Sequence, residues 1–444
     1  MAKLSSIAYY VTDKISSNDI SLAEYVTTDC ILQNKKGREV ATNLPPQPCS
    51  LIRYQRGDVL IANIRPYLKK VWFADIDGGA SPDVLVFRAK DGHSPSFLYA
   101  ILLQDSFFDY VMQGTKGSKM PRGDKEQILR YEMPTFSCSE ESIGTFFLNL
   151  DRKIHLNERI NQNLEAIAKQ LYDYWFVQFD FPDENGRPYK SSGGEMVWNE
   201  KLKREVPKSW KDITFNSFIN KNKAGDWGYD MPKDGTIKVG CVRGADIVKL
   251  NDIPIRYITS KHSDRLLEDG DIVIEVSGGS PVQATGRVAL ITNGVIERNG
   301  GTLVCSNFCQ SFSMKKRVFS EYFYYLWQNL YDNDNMFNFE GKTSGIKNFQ
   351  TEVFLANYWF EVPEQLIETF HAVVSQYHLM IDLNIIENNN LIKQRDELLP
   401  LLMNGQALVN SDLSVCINLI IRTTTRICSY PNDLFWSYLR IVFL

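Results

Sequence analysis

No run of the sequence reaches the ~18 to 20 consecutive apolar residues that a membrane-spanning helix needs, and the apolar part of MAKLSSIAYYVTDK at the start is too short for a secretory signal. A cytoplasmic chain with no membrane partner is expected. The eight cysteines include no CxxC pair, and only Cys305 and Cys309 lie close together, which argues against a zinc site and against a disulfide framework. The five histidines form no HExxH, and His371 and His378 stand seven apart on helical sequence, a spacing for solvent or a packed seam rather than a metal. Neither GxGxxG after a strand nor GxxxxGKS/T occurs, and SGGS at Ser277 to Ser280 lacks the amphipathic helix a phosphate loop requires. NLPP at Asn43 to Pro46 is not an adenine-holding Asn-Pro-Pro-aromatic motif, because Leu44 intrudes and Gln47 replaces the aromatic ring. PDENGRPYK at Pro182 to Lys190 has the letters of a metal-dependent nuclease motif without the strand that would present them. No nucleophile has a plausible base beside it. The chain reads as non-catalytic and without a cofactor. A general basic coat is missing too: the formal charge is −4, so binding to nucleic acid has to rest on local patches.

What is present is ordinary soluble composition, 44% hydrophobic and 23% charged, in 444 residues, enough for two or more cores. The chain is organised around Leu148 to Gln178, LNLDRKIHLNERINQNLEAIAKQLYDYWFVQ, which has neither Gly nor Pro. One heptad row is Leu150, Asn157, Leu164 and Leu171; the second is Lys153, Ile160, Ile167 and Tyr174. Such a helix is made to lie against another. The same pattern returns without a gap in Asp382 to Leu398, pairing Asn157 with Asn384, Asn161 with Asn388, Leu164 with Leu391 and Leu171 with Leu398, with Leu383 answering Leu156.

The segments before the two helices also correspond. GDVLIANIRP at Gly57 to Pro66, KKVWFADIDGG at Lys69 to Gly79 and SPDVLVFRA at Ser81 to Ala89 predict strands, and Ser96 to Met112 predicts one helix. A last short strand is expected at Glu132 to Phe136. After a linker rich in Gly and Pro at Phe179 to Met196, strands are expected at Ile237 to Val242, in GDIVIEVSGGSP (Gly270 to Pro281) and in RVALITNGVI (Arg287 to Ile296), followed by a helix at Glu321 to Asp332. The fold class expected is α+β: two mixed, β-rich domains related by pseudo-twofold symmetry and separated by an antiparallel coiled coil of two long helices. The boundaries are 1–147, 148–180 for the first helix, 181–363, 364–406 for the second helix, and 407–444. From about Asn410 the sequence loses every sustained period, and it is read as a poorly integrated tail produced by a shifted frame or recombination after a natural end near Gln406.

Two polar loops carry the chemistry. In Gln113 to Lys125, Lys116, Lys119, Arg122 and Lys125 oppose Asp124 alone, and Gly114, Gly117 and Gly123 let backbone approach a phosphate. In Phe339 to Gln350, Lys342 and Lys347 accompany Thr343 and Asn348, groups able to contact base edges. One such loop is easily a solvated turn; two at equivalent places before the long helices favour DNA.

GDVLIANIRPYLKKVWFA, GDIVIEVSGGSP, GTKGSKMPR, KTSGIKNF and LDRKIHLNERINQNLEAIAKQLYDYWFVQFDFP together resemble the specificity subunits of type I restriction-modification systems, over roughly residues 5 to 406. The resemblance implies two target-recognition domains, each reading half of a split sequence in double-stranded DNA, with the paired helices as a ruler between them. It also implies two modification (methyltransferase) subunits and restriction subunits as partners, which would carry adenine-N6 methylation and ATP-driven cleavage. The tail departs from that family. An alternative is a stand-alone or inactive-variant DNA-binding or anti-restriction protein of the same fold.

Overall fold

The computed structural model describes residues 2–117, 119–133, 139–278, 283–341 and 347–403. The fold is mixed α and β. The chain divides into two compact units, one built from the residues up to Ile154 together with those from Leu391, the other from His155 to Asn390. The tail expected from 407 lies outside the described residues.

The first unit contains β1 (Ala8–Tyr10), β2 (Lys14–Ser16), β3 (Tyr25–Val26), β4 (Ser50–Tyr54), β5 (Val59–Ala62), β6 (Val71–Phe73), β7 (Gly78–Ala80) and β8 (Val84–Ala89). One four-stranded antiparallel sheet has the order β1-β8-β5-β6, and a second runs β2-β4-β7-β3 with β3 and β7 parallel. The helix expected at 96–112 is two, α1 (Pro95–Leu102) and α2 (Asp105–Gln113). Gln104 breaks the run, its extended backbone (ψ 141) placing it as the N-cap of the second helix while its side chain donates to the Ile101 carbonyl at 3.1 Å.

The first long helix, α3, runs Glu140–Tyr172 and widens into a π turn at Asp173–Val177. It begins eight residues before the expected Leu148. Gly144 permits this, since a Cβ there would lie 2.4 Å from the Phe97 nitrogen at the start of α1.

The second unit contains β9 (Ile219–Ala224), β10 (Thr236–Val242), β11 (Ile255–Thr259), β12 (Ile272–Glu275), β13 (Ser277–Gly278), β14 (Val288–Leu290), α4 (Asn293–Arg298), β15 (Leu303–Cys305), β16 (Cys309–Met314), α5 (Phe319–Asp332), β17 (Glu340–Gly341), β18 (Lys347–Phe349) and α6 (Glu364–Met403), which continues into the first unit. The strand expected over Arg287 to Ile296 ends at Leu290, because Thr292 caps α4 by accepting from the Val295 N–H. The sheet order β9-β16-β12-β14 repeats the pattern of β1-β8-β5-β6, and the parallel pair β10–β15 corresponds to β3–β7. Even the turns agree. Gly57 and Gly270 have φ of +92° and +89°, and the next residue, Asp58 or Asp271, accepts the N–H of Gln55 or Glu268 at 2.8 Å.

The heptad rows need one correction. Leu150 and Asn157 are buried as expected, and Leu164 and Leu171 are half-buried, but the second inward row is Ile154, Asn161, Ala168 and Trp175. Ile160 is only half-buried, and Ile167 is 46% exposed. The reason lies at the end of the helix, where Tyr172, Trp175, Phe176 and Phe179 enter the aromatic core of the second unit beside Trp210, Tyr322 and Phe370. Each such ring buries about 150 to 250 Å², and four of them together outweigh one isoleucine, whose burial is worth about 1.5 to 3 kcal/mol. The rings set the rotation and Ile167 and Tyr174 turn out. On α6, Leu391 and Leu398 are buried and half-buried, whereas Leu383 is 38% exposed and its neighbours Ile381 and Asp382 point inward. Within the second unit the two helices run antiparallel, since Asn157 bonds Asn388 while Asn161 bonds Asn384.

Candidate nucleic-acid interface

In the first unit the basic loop closes on itself. The Lys116 N–H donates to the Arg122 carbonyl and the Arg122 N–H to the Lys116 carbonyl, both at 3.1 Å, and Gly117 turns the chain between them at φ +91°. At the base of the loop, a Cβ on Gly123 would meet Asn63 Oδ1 at 2.8 Å, so this glycine lets the loop press onto the end of β5. Asp124 caps the helical turn that follows by accepting from the Glu126 and Gln127 N–H groups. The Lys116 ammonium, 3.0 Å away, and then those N–H groups hold the Asp124 carboxyl below its usual range.

The four cations therefore differ in role. Lys116 is tied to Asp124, and Arg122 pairs with Asp83 at 3.2 Å, yet both remain exposed. Lys119 and Lys125 are exposed and have no ion pair among the described residues. Exposed ammonium groups suit phosphate, and a guanidinium steadied by a carboxylate suits a base edge or a phosphate fork.

In the second unit the corresponding chain forms the small sheet β17-β18-β13. Lys347 pairs with Glu340 at 2.8 Å and lies 5.2 Å over the Phe337 ring, while the Ser277 hydroxyl donates to Asn348 Oδ1. Burial works against the Glu340 charge, but Lys347 and the Thr285 N–H outweigh it and hold the carboxyl below its usual range. Lys342 and Thr343 lie outside the described residues. Asp83 and Phe308, which sequence patterning did not single out, and Ser277, weighed there only within the rejected phosphate loop, adjoin these segments. The signal for Asp83 was its place in the strand turn Ser81-Pro82-Asp83; for Phe308 there was none, because SNFCQSF reads as core.

Among the described residues no three His, Cys, Asp or Glu side chains gather as a metal site, and no helix is long and apolar enough to cross a membrane. No family model matches the chain. It is 22% identical over 407 residues to the type I restriction enzyme MjaIX specificity subunit of Methanocaldococcus jannaschii, covering 88% of this chain and 86% of that one. The chain resembles type I restriction specificity subunits. A second relative of this kind, the HindI specificity subunit of Haemophilus influenzae, is 27% identical over 188 residues, 40% of each protein. The solved type I restriction-modification S subunit of M. genitalium has the same fold with a TM-score of 0.53 at 12% identity, covering 93% of this chain and 96% of that structure. The likeness thus covers most of the chain.

Proposed function

We propose that this chain is the DNA sequence-specificity subunit of a type I restriction-modification enzyme, without catalytic activity of its own, working in the cytoplasm. The first target-recognition domain comprises residues 1–147 and the second, with its linker, 181–363; the helices at 148–180 and 364–406 form an antiparallel coiled coil between them, in a pseudo-twofold arrangement. Each domain reads one half of a bipartite target. The helices scaffold two modification subunits, and restriction subunits complete the endonuclease. The observation that carries this reading is the repetition of one sheet order in both units, each with a polar loop at the same place after it. Lys116, Lys119, Arg122 and Lys125 serve the first half-site; Lys342, Thr343, Lys347 and Asn348 serve the second.

The test is methylome sequencing of a host carrying this gene with and without neighbouring modification genes. A split adenine-methylated motif that needs both is expected. If the chain fails to co-purify with a modification subunit while still binding DNA, the stand-alone or anti-restriction reading replaces this one.

A further inference from the structure

The turns that end β7 and β15 are built alike. The Ser81 N–H donates to the Val26 carbonyl and the Ser306 N–H to the Val242 carbonyl; Val84 and Cys309 then close back on Ser81 and Ser306 at 2.9 Å. The tip residue in each is gripped by the strand beside it: the Asp83 carbonyl accepts from Asn63, and the Phe308 carbonyl accepts from Val276 and Ser277. The backbone position is the same, and the side chain is not. In the first unit the tip offers a carboxylate that steadies Arg122. In the second it offers a phenyl ring, 50% exposed.

That ring is rigidly presented. Trp227, 37% exposed, stands edge to face with it at 6.4 Å, and the Trp227 N–H is held by Asn307 Oδ1 in the same turn. Arg256 covers Trp227 at 4.9 Å and bonds the Trp227 carbonyl, fixing the indole from behind. Through Ser277 the turn connects to Asn348, in the strand of Lys347. Phe308 and Trp227 together make an exposed apolar patch, with Arg256 over the indole, and an apolar patch rimmed by polar groups marks an interaction face. In a major groove full of hydrogen-bonding groups, the apolar feature is the thymine 5-methyl group.

We propose that Phe308, backed by Trp227, is a specificity-determining residue of the second unit, packing on a thymine methyl in the major groove. This rests on the DNA-reading function above. The equivalent tip, Asp83, makes the first unit polar at the same position, so the two half-sites differ in chemistry there.

The experiment uses the chain assembled with its modification subunits and the methylated motif as probe, with each thymine of the half-site read by the second unit replaced in turn by deoxyuridine. Wild type is expected to lose about fourfold in affinity at one thymine, the worth of one buried methyl group. Phe308→Ala should show the same loss on the natural target, no further loss with deoxyuridine, and an unchanged salt slope, since no phosphate contact is removed. Phe308→Leu should recover most of the affinity, and Trp227→Ala should weaken the same position. Wild-type affinity for Phe308→Ala, indifference of wild type to every deoxyuridine, or a half-site of G·C pairs alone would each overturn the assignment. If the wild-type assembly binds no specific sequence, the proposed function fails with it.

Discussion

Asn157 donates from Nδ2 to Asn388 Oδ1 at 2.9 Å and to Glu387 Oε2 at 2.7 Å, and both asparagines are buried. Two buried amides bonded across a helix pair fix its register, because sliding either helix strands them. Asn157→Leu is expected to lower stability by about 1 to 3 kcal/mol, the cost of leaving buried polar partners unpaired. The double variant Asn157→Leu, Asn388→Leu should regain much of that loss. Urea denaturation of the three proteins checks it; a double variant less stable than the single would refute the account.

The buried carboxylate of Glu321 ties α5 to α6 in the second unit. It accepts from Arg317 at 2.9 and 3.0 Å and lies 2.7 Å from His371 Nδ1. Burial pushes its pKa up, but His371 and Arg317 prevail and hold it below 4.5. Its stabilising contribution is therefore complete above about pH 4.5 and is lost as the pH falls through the lower folded value. Glu321→Gln should cost about 1 to 3 kcal/mol at neutral pH, because Arg317 keeps Asp269 as a counter-ion, and make the acid limb of the stability curve shallower. Thermal unfolding from pH 3 to 7 measures both.

Removing a single phosphate contact lowers the slope of log affinity against log salt by about 1. Lys119→Ala and Lys125→Ala are expected to do this with little change in base preference. Arg122→Ala should also shift preference in the first half-site, because Asp83 holds its guanidinium in one pose. Unchanged slopes for all three would remove the loop from the DNA interface.

Asp382 on α6 bonds Arg298 and Thr292 of the second unit, and Gly294 in α4 makes room for it. A Cβ on Gly294 would fall 2.4 Å from the Asp382 Cβ. Gly294→Ala is expected to destabilise by about 1 to 3 kcal/mol, as overpacking does, despite the better helix propensity of alanine. A variant unfolding at the wild-type temperature would show that the helix shifts freely.

The sequence displayed the strands around Gly57 and Gly270 because each follows a turn residue with a continuous apolar run, and it displayed both long helices because their period persists for many turns. It hid the rotation of α3, since Asn161 and Ala168 carry no hydrophobic signal and only the distant rings of Trp210 and Phe370 reveal which way the helix must face. Lys116 and Arg122 were legible as charges, but their ties to Asp124 and Asp83 depend on turn geometry. Phe308 was invisible because a phenylalanine between strands looks internal until the backbone is seen to aim it out.

The paired turns at Asp58 and Asp271 keep their buried charges satisfied by different means: Asp58 receives Arg88 through two bonds of 2.7 Å, while Asp271 receives Lys223 and Ser313. All these partners come from the same unit as the aspartate. A gene crossover inside a unit, between Lys223 and Asp271, would separate the buried carboxylate from its own counter-ion. A crossover within a long helix would leave both aspartates with their own counter-ions. The two turns therefore tolerate exchange at a long helix, while Leu391, which belongs to the same core as Leu150 and Ile154, is the part of the first unit's interior that an exchanged helix has to match.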